Sequence, residues 1–299
     1  MANTTFSGPI RSENGMKLVS KNTTSGLISD RTVGDYPKDA RRYYLEEWFN
    51  RRPGLNGDLD AVYTNEVART LNRDFEILGT NMTSALVTFG ATTSGILATT
   101  AGADQDQAII LPHLDHDGTA DTGAVTAWSG VQWGTENETH WETSIMLPAL
   151  DNQKVWCGLK KANDQLVATD PDQCFFKYQT DATNSEAFSD YSLWHFVHSI
   201  DGTDYISALP ITVAANTPYH FKIKIDSNRK ASIFVNGEQY NVTTTSGSTG
   251  GTAVTKGTTP TAALTDDTDF IPYNGIEAGA AAAEALNTHF IAMSRLIYE

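Results

Sequence analysis

The chain has 299 residues, of which 40% are hydrophobic, enough for one large β-sandwich with an appendage or for two small domains. Its formal net charge of −15 argues against a nucleic-acid partner, which requires a basic surface. No apolar run approaches the roughly 18 residues of a membrane helix, and the N-terminus lacks the apolar core of a signal peptide, so no membrane partner is expected.

The charge is unevenly distributed along the chain. Residues 1–60 hold nine Lys or Arg against eight Asp or Glu, so the acidity lies in residues 61–299. Residues 1–36 are rich in Thr, Ser, Asn and Gly and predict an extended arm. We therefore divide the chain into an N-terminal arm and helix at 1–60 and a sandwich body at 61–299.

A short aromatic helix is predicted over residues 38–52, with Pro37 opening it and Pro53-Gly54 ending it. Four apolar side chains share one face of this helix: Tyr44, Leu45, Trp48 and Phe49. Such a face either docks on the chain's own sandwich or anchors on a partner. A second helix is predicted at residues 65–72.

The chain from residue 75 onward predicts short strands separated by turns. They are expected at 75–78, 85–89, 95–100, 107–111, 130–134, 140–147, 155–160, 173–178, 193–199, 205–206, 219–225, 231–235 and 289–298, with the last beside the first. The Thr, Ser and Gly-rich segment 243–261 indicates a flexible surface loop, and the Ala-rich segment 278–285 a helical turn or a closely packed loop. Strands at this spacing predict an all-β sandwich or barrel.

The clearest strand signal lies at residues 219–240, YHFKIKIDSNRKASIFVNGEQY. Polar and apolar residues alternate in its first half, and Asn236-Gly237 is a strong hairpin turn because both residues tolerate positive φ. The segment resembles the back-sheet hairpin of concanavalin A-like, or laminin G-like, jelly rolls. This resemblance implies a jelly-roll β-sandwich for the body.

A second resemblance covers most of the chain. Residues from about 75 to 299 are similar to a family of marine bacteriophage virion proteins. The matching segments are NRDFEILGTNMTSALVTF, QAIILPHLDHD, WSGVQWGTENETHWETSI, VWCGLKKANDQLVATDPDQCFFKY, VAANTPYHFKIKIDSNRKASIFVNG and ALTDDTDFIPYNGIEAGAAAAEALNTHFIAMSRLIYE. The opening FSGPIRSENGMKLVS is similar to the start of many structural proteins of that phage group. The resemblance implies a jelly-roll subunit of the virion, of the head-decoration (cement) type, and brings no catalytic motif.

On that resemblance, the arm and the helix are the expected contact with the major capsid protein, within a homo-oligomer expected to be a trimer. The expected partner-binding residues are Arg41, Arg42, Tyr43, Tyr44, Trp48, Phe49, Arg51 and Arg52, with the arginines facing acidic capsid surface and the aromatics as anchors. The alternative is a carbohydrate-binding, lectin-like tail or head appendage that contacts the host surface.

One segment, LPHLDHDGTADTGA, could bind a cation. His113, Asp115, His116 and Asp117 fall within five residues, and Asp121 follows closely. Carboxylate oxygens are ligands that Ca²⁺ prefers, so Asp115, Asp117 and Asp121 are the candidate ligands. The spacing does not match an EF-hand or a zinc-hydrolase motif, and the alternative is a solvated turn. No other cofactor is expected.

Catalytic patterns are weak. Glycosidases of this fold place paired carboxylates at alternate positions of one strand, and Glu136, Glu138 and Glu142 approach this arrangement without matching it. Trp133 and Trp141 could stack on sugar rings, but buried tryptophans are more often core. We therefore predict that the chain is not an enzyme.

The two cysteines, Cys157 and Cys174, lie on what the pattern indicates are successive strands. Two buried thiols are expected rather than a disulfide.

Overall fold

The computed structural model describes residues 19–21, 28–30, 42–49, 54–55, 75–89, 94–112, 133–162, 165–180, 186–247 and 249–297. The strands of these ranges, in chain order, are β1 Val19–Lys21, β2 Ile28–Asp30, β3 Arg42–Glu47, β4 Gly54–Leu55, β5 Phe75–Leu78, β6 Val87–Phe89, β7 Ile96–Thr99, β8 Gln107–Pro112, β9 Trp133–Gly134, β10 His140–Met146, β11 Gln153–Lys160, β12 Gln173–Gln179, β13 Leu193–Ile200, β14 Thr203–Thr212, β15 Pro218–Ile225, β16 Ala231–Val235, β17 Glu238–Tyr240, β18 Thr252–Ala253, β19 Asp269–Ala278 and β20 Ala285–Leu296. Single 3₁₀ turns occur at Ser84–Leu86, Thr135–Asn137 and Val167–Thr169. Across these ranges, the protein contains no helix with the length and apolarity needed to span a membrane.

Two sheets form the body. The eight-stranded sheet has the order β17-β16-β15-β10-β20-β7-β6, and β3 also pairs with β20. The ten-stranded sheet has the order β18-β14-β13-β12-β11-β19-β8-β5-β4, and β9 also pairs with β19. Pairing is antiparallel except between β14 and β18 and between β4 and β5. The fold is the predicted all-β, concanavalin A-like jelly-roll sandwich.

The main core lies between the inner faces of the two sheets. It is rich in aromatic rings: Phe221 of the eight-stranded sheet lies 4.5 Å from Phe176 and 4.7 Å from Trp194 of the ten-stranded sheet, measured between ring centroids. Trp141 and Trp194 are fully buried. Each aromatic side chain buries roughly 150–250 Å² of surface, so these contacts hold the two sheets together over a large apolar area.

A second apolar cluster covers the outer face of the ten-stranded sheet. It includes Trp156 of β11, Phe175 of β12 and Val197 of β13, together with Val167 and Phe188 from the segments that follow β11 and β12. Strands β11 and β12 are therefore buried on both faces along their whole length. This explains why their sequences show no clean alternation of polar and apolar residues.

The predicted helix at residues 38–52 is wrong, because its central part forms strand β3. The strand pairs with β20 in antiparallel register, with Tyr43 opposite Arg295 and Leu45 opposite Met293. Tyr43 and Leu45 pack against the core. An aromatic run at i, i+1, i+4 and i+5 fits one helical face, but alternate residues of the same run fit a strand, and pairing with β20 satisfies its backbone.

The predicted position of the last strand is also wrong. Strand β20 lies in the eight-stranded sheet beside β10, whereas β5 belongs to the ten-stranded sheet. Within segment 243–261, β18 pairs with β14 and Gly250 bridges to Phe188, so this segment is tied to the edge of the ten-stranded sheet. The second predicted helix, at 65–72, falls outside the described residues.

Candidate functional site

Exposed aromatic side chains lie on the outer face of the eight-stranded sheet. Tyr44 is 41% and Trp48 is 43% exposed. The Glu46 carboxylate between them accepts a hydrogen bond of 2.7 Å from the Tyr44 hydroxyl and one from the Trp48 indole. Trp48 packs on Phe290, with ring centroids 4.8 Å apart. We call Tyr44, Glu46, Trp48 and Phe290 the β3 surface.

A group of polar side chains adjoins the β3 surface, with the ring centroid of His220 5.6 Å from that of Phe290. The Ser144 hydroxyl lies 3.0 Å from Nδ1 of His289. The Glu142 carboxylate lies 3.5 Å from Nε2 of His220 and 3.4 Å from Nζ of Lys222. Burial raises the pKa of Glu142, but contact with His220 and Lys222 outweighs it and holds that pKa below its ordinary value. Glu142 is therefore an ionised hydrogen-bond acceptor beside aromatic rings.

The structure separates the expected partner-binding residues into two groups. Tyr44 and Trp48 are exposed, whereas Phe49 is buried against Phe75 and Tyr43 packs on the core. The half-buried Arg42 donates hydrogen bonds to the Glu138 carbonyl and to Ser294. Three expected residues fall outside the described part of the chain: Arg41, Arg51 and Arg52. Docking on the sandwich therefore accounts for Tyr43 and Phe49, and partner binding stays a prediction for the others.

The candidate calcium ligands Asp115, Asp117 and Asp121 lie in segment 113–132, outside the described residues, as do His113 and His116. Among the residues that are described, no group of three or more His, Cys, Asp or Glu side chains is placed to hold a metal ion.

The three carboxylates that approach the glycosidase pattern each contact a different basic side chain. Glu136 contacts Arg229 at 3.1 Å, and Glu138 lies 3.9 Å from Arg42. Glu142 is on the outer face of β10, beside His220. The Trp133 and Trp141 side chains are buried in the core, as the core interpretation predicts.

A second polar site, which the sequence analysis missed, lies under the cover of the ten-stranded sheet. Three fully buried lysines project from its outer face: Lys154, Lys160 and Lys177. We call them the lysine layer. Lys154 contacts Glu277 at 2.6 Å, Lys160 lies 3.4 Å from Asp170, and Lys177 contacts Glu186. Each buried cation therefore has a carboxylate partner, as burial of charge requires.

The lysine layer also holds the covering segments in place. Lys160 donates to the Leu166 carbonyl at 3.2 Å, and Lys177 donates to the Gln165 carbonyl at 2.8 Å. The Gln173 amide donates to the Val167 carbonyl at 2.5 Å. The period-two spacing of Lys154, Trp156 and Lys160 signals one face of a strand, but sequence spacing alone cannot distinguish a solvated lysine from one covered by a loop.

Both cysteines are free and buried, as predicted. Burial raises the pKa of the Cys157 thiol and of the Cys174 thiol, so both stay protonated at neutral pH.

No family model matches this chain, and no curated protein matches it. Among solved structures it is similar to a protein of unknown function from Shewanella oneidensis MR-1, with a TM-score of 0.45 and 9% identity over 86% of this chain and 89% of that chain. It is similar to a Bacillus licheniformis β-glucanase, with a TM-score of 0.45 and 8% identity over 84% of this chain and 97% of that chain. It is also similar to peanut lectin, with a TM-score of 0.40 and 10% identity over 86% of this chain and 98% of that chain.

The prediction that the chain is not an enzyme is overturned by these matches. A β-glucanase, a transglycosylase and glycosyl hydrolases are among them. At 8–10% identity, neither catalysis nor its absence follows from the shared jelly roll.

Proposed function

We propose that the protein is a structural subunit of a bacteriophage particle, a head-decoration protein that binds the capsid through the β3 surface. The observation that carries this proposal is the exposure of Tyr44 on strand β3, which pairs with β20, and of Trp48 just after that strand. Their rings are held in place by the shared carboxylate of Glu46. Aromatic side chains that are already ordered lose little entropy on binding, which favours a role as anchors.

The resemblance to marine phage virion proteins supplies the partner, which is the major capsid protein. Several copies of a moderate contact, arranged in a symmetric trimer on a symmetric lattice, give tight attachment by avidity. Residues 61–299 carry 12 Lys or Arg against 28 Asp or Glu, a net charge of −16, and this acidic body faces outward, which keeps particles mutually repulsive.

The test is binding of the full chain to capsids that lack it, measured by cosedimentation. The double variant Tyr44→Ala/Trp48→Ala is expected to weaken binding at least about tenfold, because loss of anchor side chains costs about 1–2 kcal/mol or more each. Phe89→Ala is the matched control, since Phe89 is also an exposed aromatic, at 51%, on the same sheet. Equal binding by both variants would refute the assignment of the β3 surface.

Immunogold electron microscopy of intact particles tests the location independently. Label spread over the head supports decoration, label confined to the tail supports the second candidate below, and an unlabelled virion refutes both. Light scattering with size-exclusion chromatography tests the trimer.

The second candidate function is carbohydrate binding at the host surface. It is favoured by the adjacency of aromatic rings, Trp48 and Phe290, to the hydrogen-bonding side chains of Glu142 and Ser144 on one face. Sugar rings are bound by this combination of stacking and polar contacts. Binding to purified host polysaccharide that is lost in Trp48→Ala and kept in Phe89→Ala would support this candidate, and binding unaffected by Trp48→Ala would refute it.

A further inference from the structure

Within the lysine layer, Lys177 is surrounded by a buried amide and a carboxylate. Its ammonium nitrogen lies 2.7 Å from Oε1 of Gln165, and it contacts Oε2 of Glu186. The other oxygen of Glu186 accepts a hydrogen bond of 2.5 Å from the Val167 amide, which fixes the carboxylate in place. The lysine and the glutamine are 0% and 3% exposed. A nucleophile precursor and an acyl group are thus held together away from water, beside a proton acceptor whose side chain is 16% exposed.

The distance suits a reaction between the amine and the amide. A carbonyl bond of about 1.2 Å places the Gln165 amide carbon within about 4 Å of the lysine nitrogen, close to the separation from which bonds form. Phe188, whose ring centroid is 5.8 Å from the lysine nitrogen, closes the site on one side. Burial lowers the pKa of Lys177 to about 8, although Glu186 raises it, so a neutral amine is accessible.

We propose that Lys177 and Gln165 form an intramolecular amide cross-link, with Glu186 transferring the proton. Glu186 accepts a proton from the lysine ammonium, and the neutral amine attacks the side-chain amide carbon of Gln165. The attacking nitrogen passes one of its two protons to the amide nitrogen, and the C–N bond to that nitrogen breaks. The ammonia released takes back the proton held by Glu186 and leaves as ammonium. One amide is exchanged for another, so the step requires no oxidant, reductant or further reactant.

The other two lysines of the layer provide an internal comparison. Lys160 lies 2.5 Å from Oε1 of Gln173, but the Gln173 amide nitrogen is held by hydrogen bonds to the Val167 carbonyl and the Ser199 hydroxyl. Its acidic neighbour, Asp170, is 3.4 Å away. Lys154 faces the carboxylate of Glu277, which is a poor acyl donor. The arrangement required for the cross-link is therefore met at Lys177.

The consequence of the cross-link would be mechanical. It would tie the segment after β11 to β12, and so fix the cover of the ten-stranded sheet by a covalent bond. A constraint of this kind stabilises a fold mainly by restricting its unfolded state.

The test is the intact mass of the full chain under denaturing conditions. We expect a mass lower than that of the sequence by about 17 Da, the mass of ammonia. Trypsin does not cleave after an acylated lysine, so the digest should contain residues 162–222 as one peptide carrying this deficit, because the next tryptic site after Lys177 is Lys222. A folded protein of full sequence mass, with cleavage after Lys177, would overturn the proposal.

Three variants assign the chemistry. Lys177→Arg keeps the charge but is not expected to acylate, and Glu186→Gln keeps both reacting residues but removes the proton acceptor, so both should show the full mass of their sequences. Lys160→Arg is the matched control and should keep the deficit. Circular dichroism confirms that each variant is folded. A deficit that persists in Lys177→Arg, or that maps outside residues 162–222, would refute the assignment.

Discussion

The ion pair between Lys154 and Glu277 offers the sharpest test of the covered sheet face. The lysine side chain is 0% and the glutamate side chain 6% exposed, with 2.6 Å between the charged atoms. In Lys154→Met the carboxylate stays buried without its cation, and its remaining contact is a hydrogen bond of 2.7 Å from Gln107. Removing one partner of a buried pair costs about 3–5 kcal/mol. We therefore expect strong destabilisation from a substitution of similar volume.

The magnitude can be measured as a melting temperature. For domains of this size, 1 kcal/mol corresponds to about 2–4 °C, so Lys154→Met should lower the melting temperature by about 6–20 °C. The double variant Lys154→Met/Glu277→Leu removes both charges and should recover most of this loss, because replacing a whole buried pair by apolar groups is often neutral. The half-buried Gln107 can then hydrogen-bond to water.

Thermal denaturation followed by far-UV circular dichroism at one fixed scan rate compares the variants. Lys256→Met is the matched surface control, since Lys256 pairs with Glu238 where both are exposed, and it should leave the melting temperature nearly unchanged because water screens such a pair. If Lys154→Met behaves like this control, or if the double variant is as unstable as the single one, the lysine layer is not buried as described.

Three further predictions follow from buried groups. Gly275→Ala should destabilise the protein by about 1–3 kcal/mol and perturb tryptophan fluorescence, because the new methyl would lie 2.3 Å from the Trp156 ring. The control Gly247→Ala places its methyl with no atom within 4 Å and should be neutral. Burial lowers the pKa of His198 to about 3, so the unfolded state binds more protons than the folded state, and the free energy of unfolding falls as the pH drops below the pKa of the unfolded state. This group should contribute a loss of about 2 kcal/mol between pH 7 and pH 5, measured by denaturant titration, and the loss should be absent in His198→Phe. Phe49→Ala should cost about 3–5 kcal/mol and Trp48→Ala less than about 1 kcal/mol in the same assay, since the first side chain is buried and the second exposed. Equal costs would contradict this assignment of the buried and the exposed ring.

The hairpin at residues 219–240 shows how far local sequence reaches. Its strands are β15 and β16 as predicted. Asn236 and Gly237, with φ of 51° and 81°, turn the chain from β16 into β17. The turn chemistry is local, and the alternating pattern places Phe221 and Ile223 in the core. Such segments are predictable because residues close in the chain decide their conformation.

Strand β3 shows where this reasoning fails. The aromatic spacing of Tyr44, Leu45, Trp48 and Phe49 fits a helix, yet Tyr44 and Leu45 pair with β20 because that strand offers its backbone hydrogen bonds, and Trp48 and Phe49 follow the end of β3. The exposed pair Tyr44 and Trp48 was included among the predicted partner-binding residues. The packing of Trp48 on Phe290 required the tertiary structure, since more than 200 residues separate the two in the chain.

The sequence by itself determined the fold class and most of the strands, because alternation and turn residues act over a few positions. The tertiary structure alone decided which polar positions are exposed. Lys224 and Lys177 each lie between two apolar residues, yet Lys224 is partly exposed and Lys177 lies beneath a covering segment. Periodicity assigns a residue to a face of a strand, and whether that face meets water depends on segments that pack on it from elsewhere in the chain.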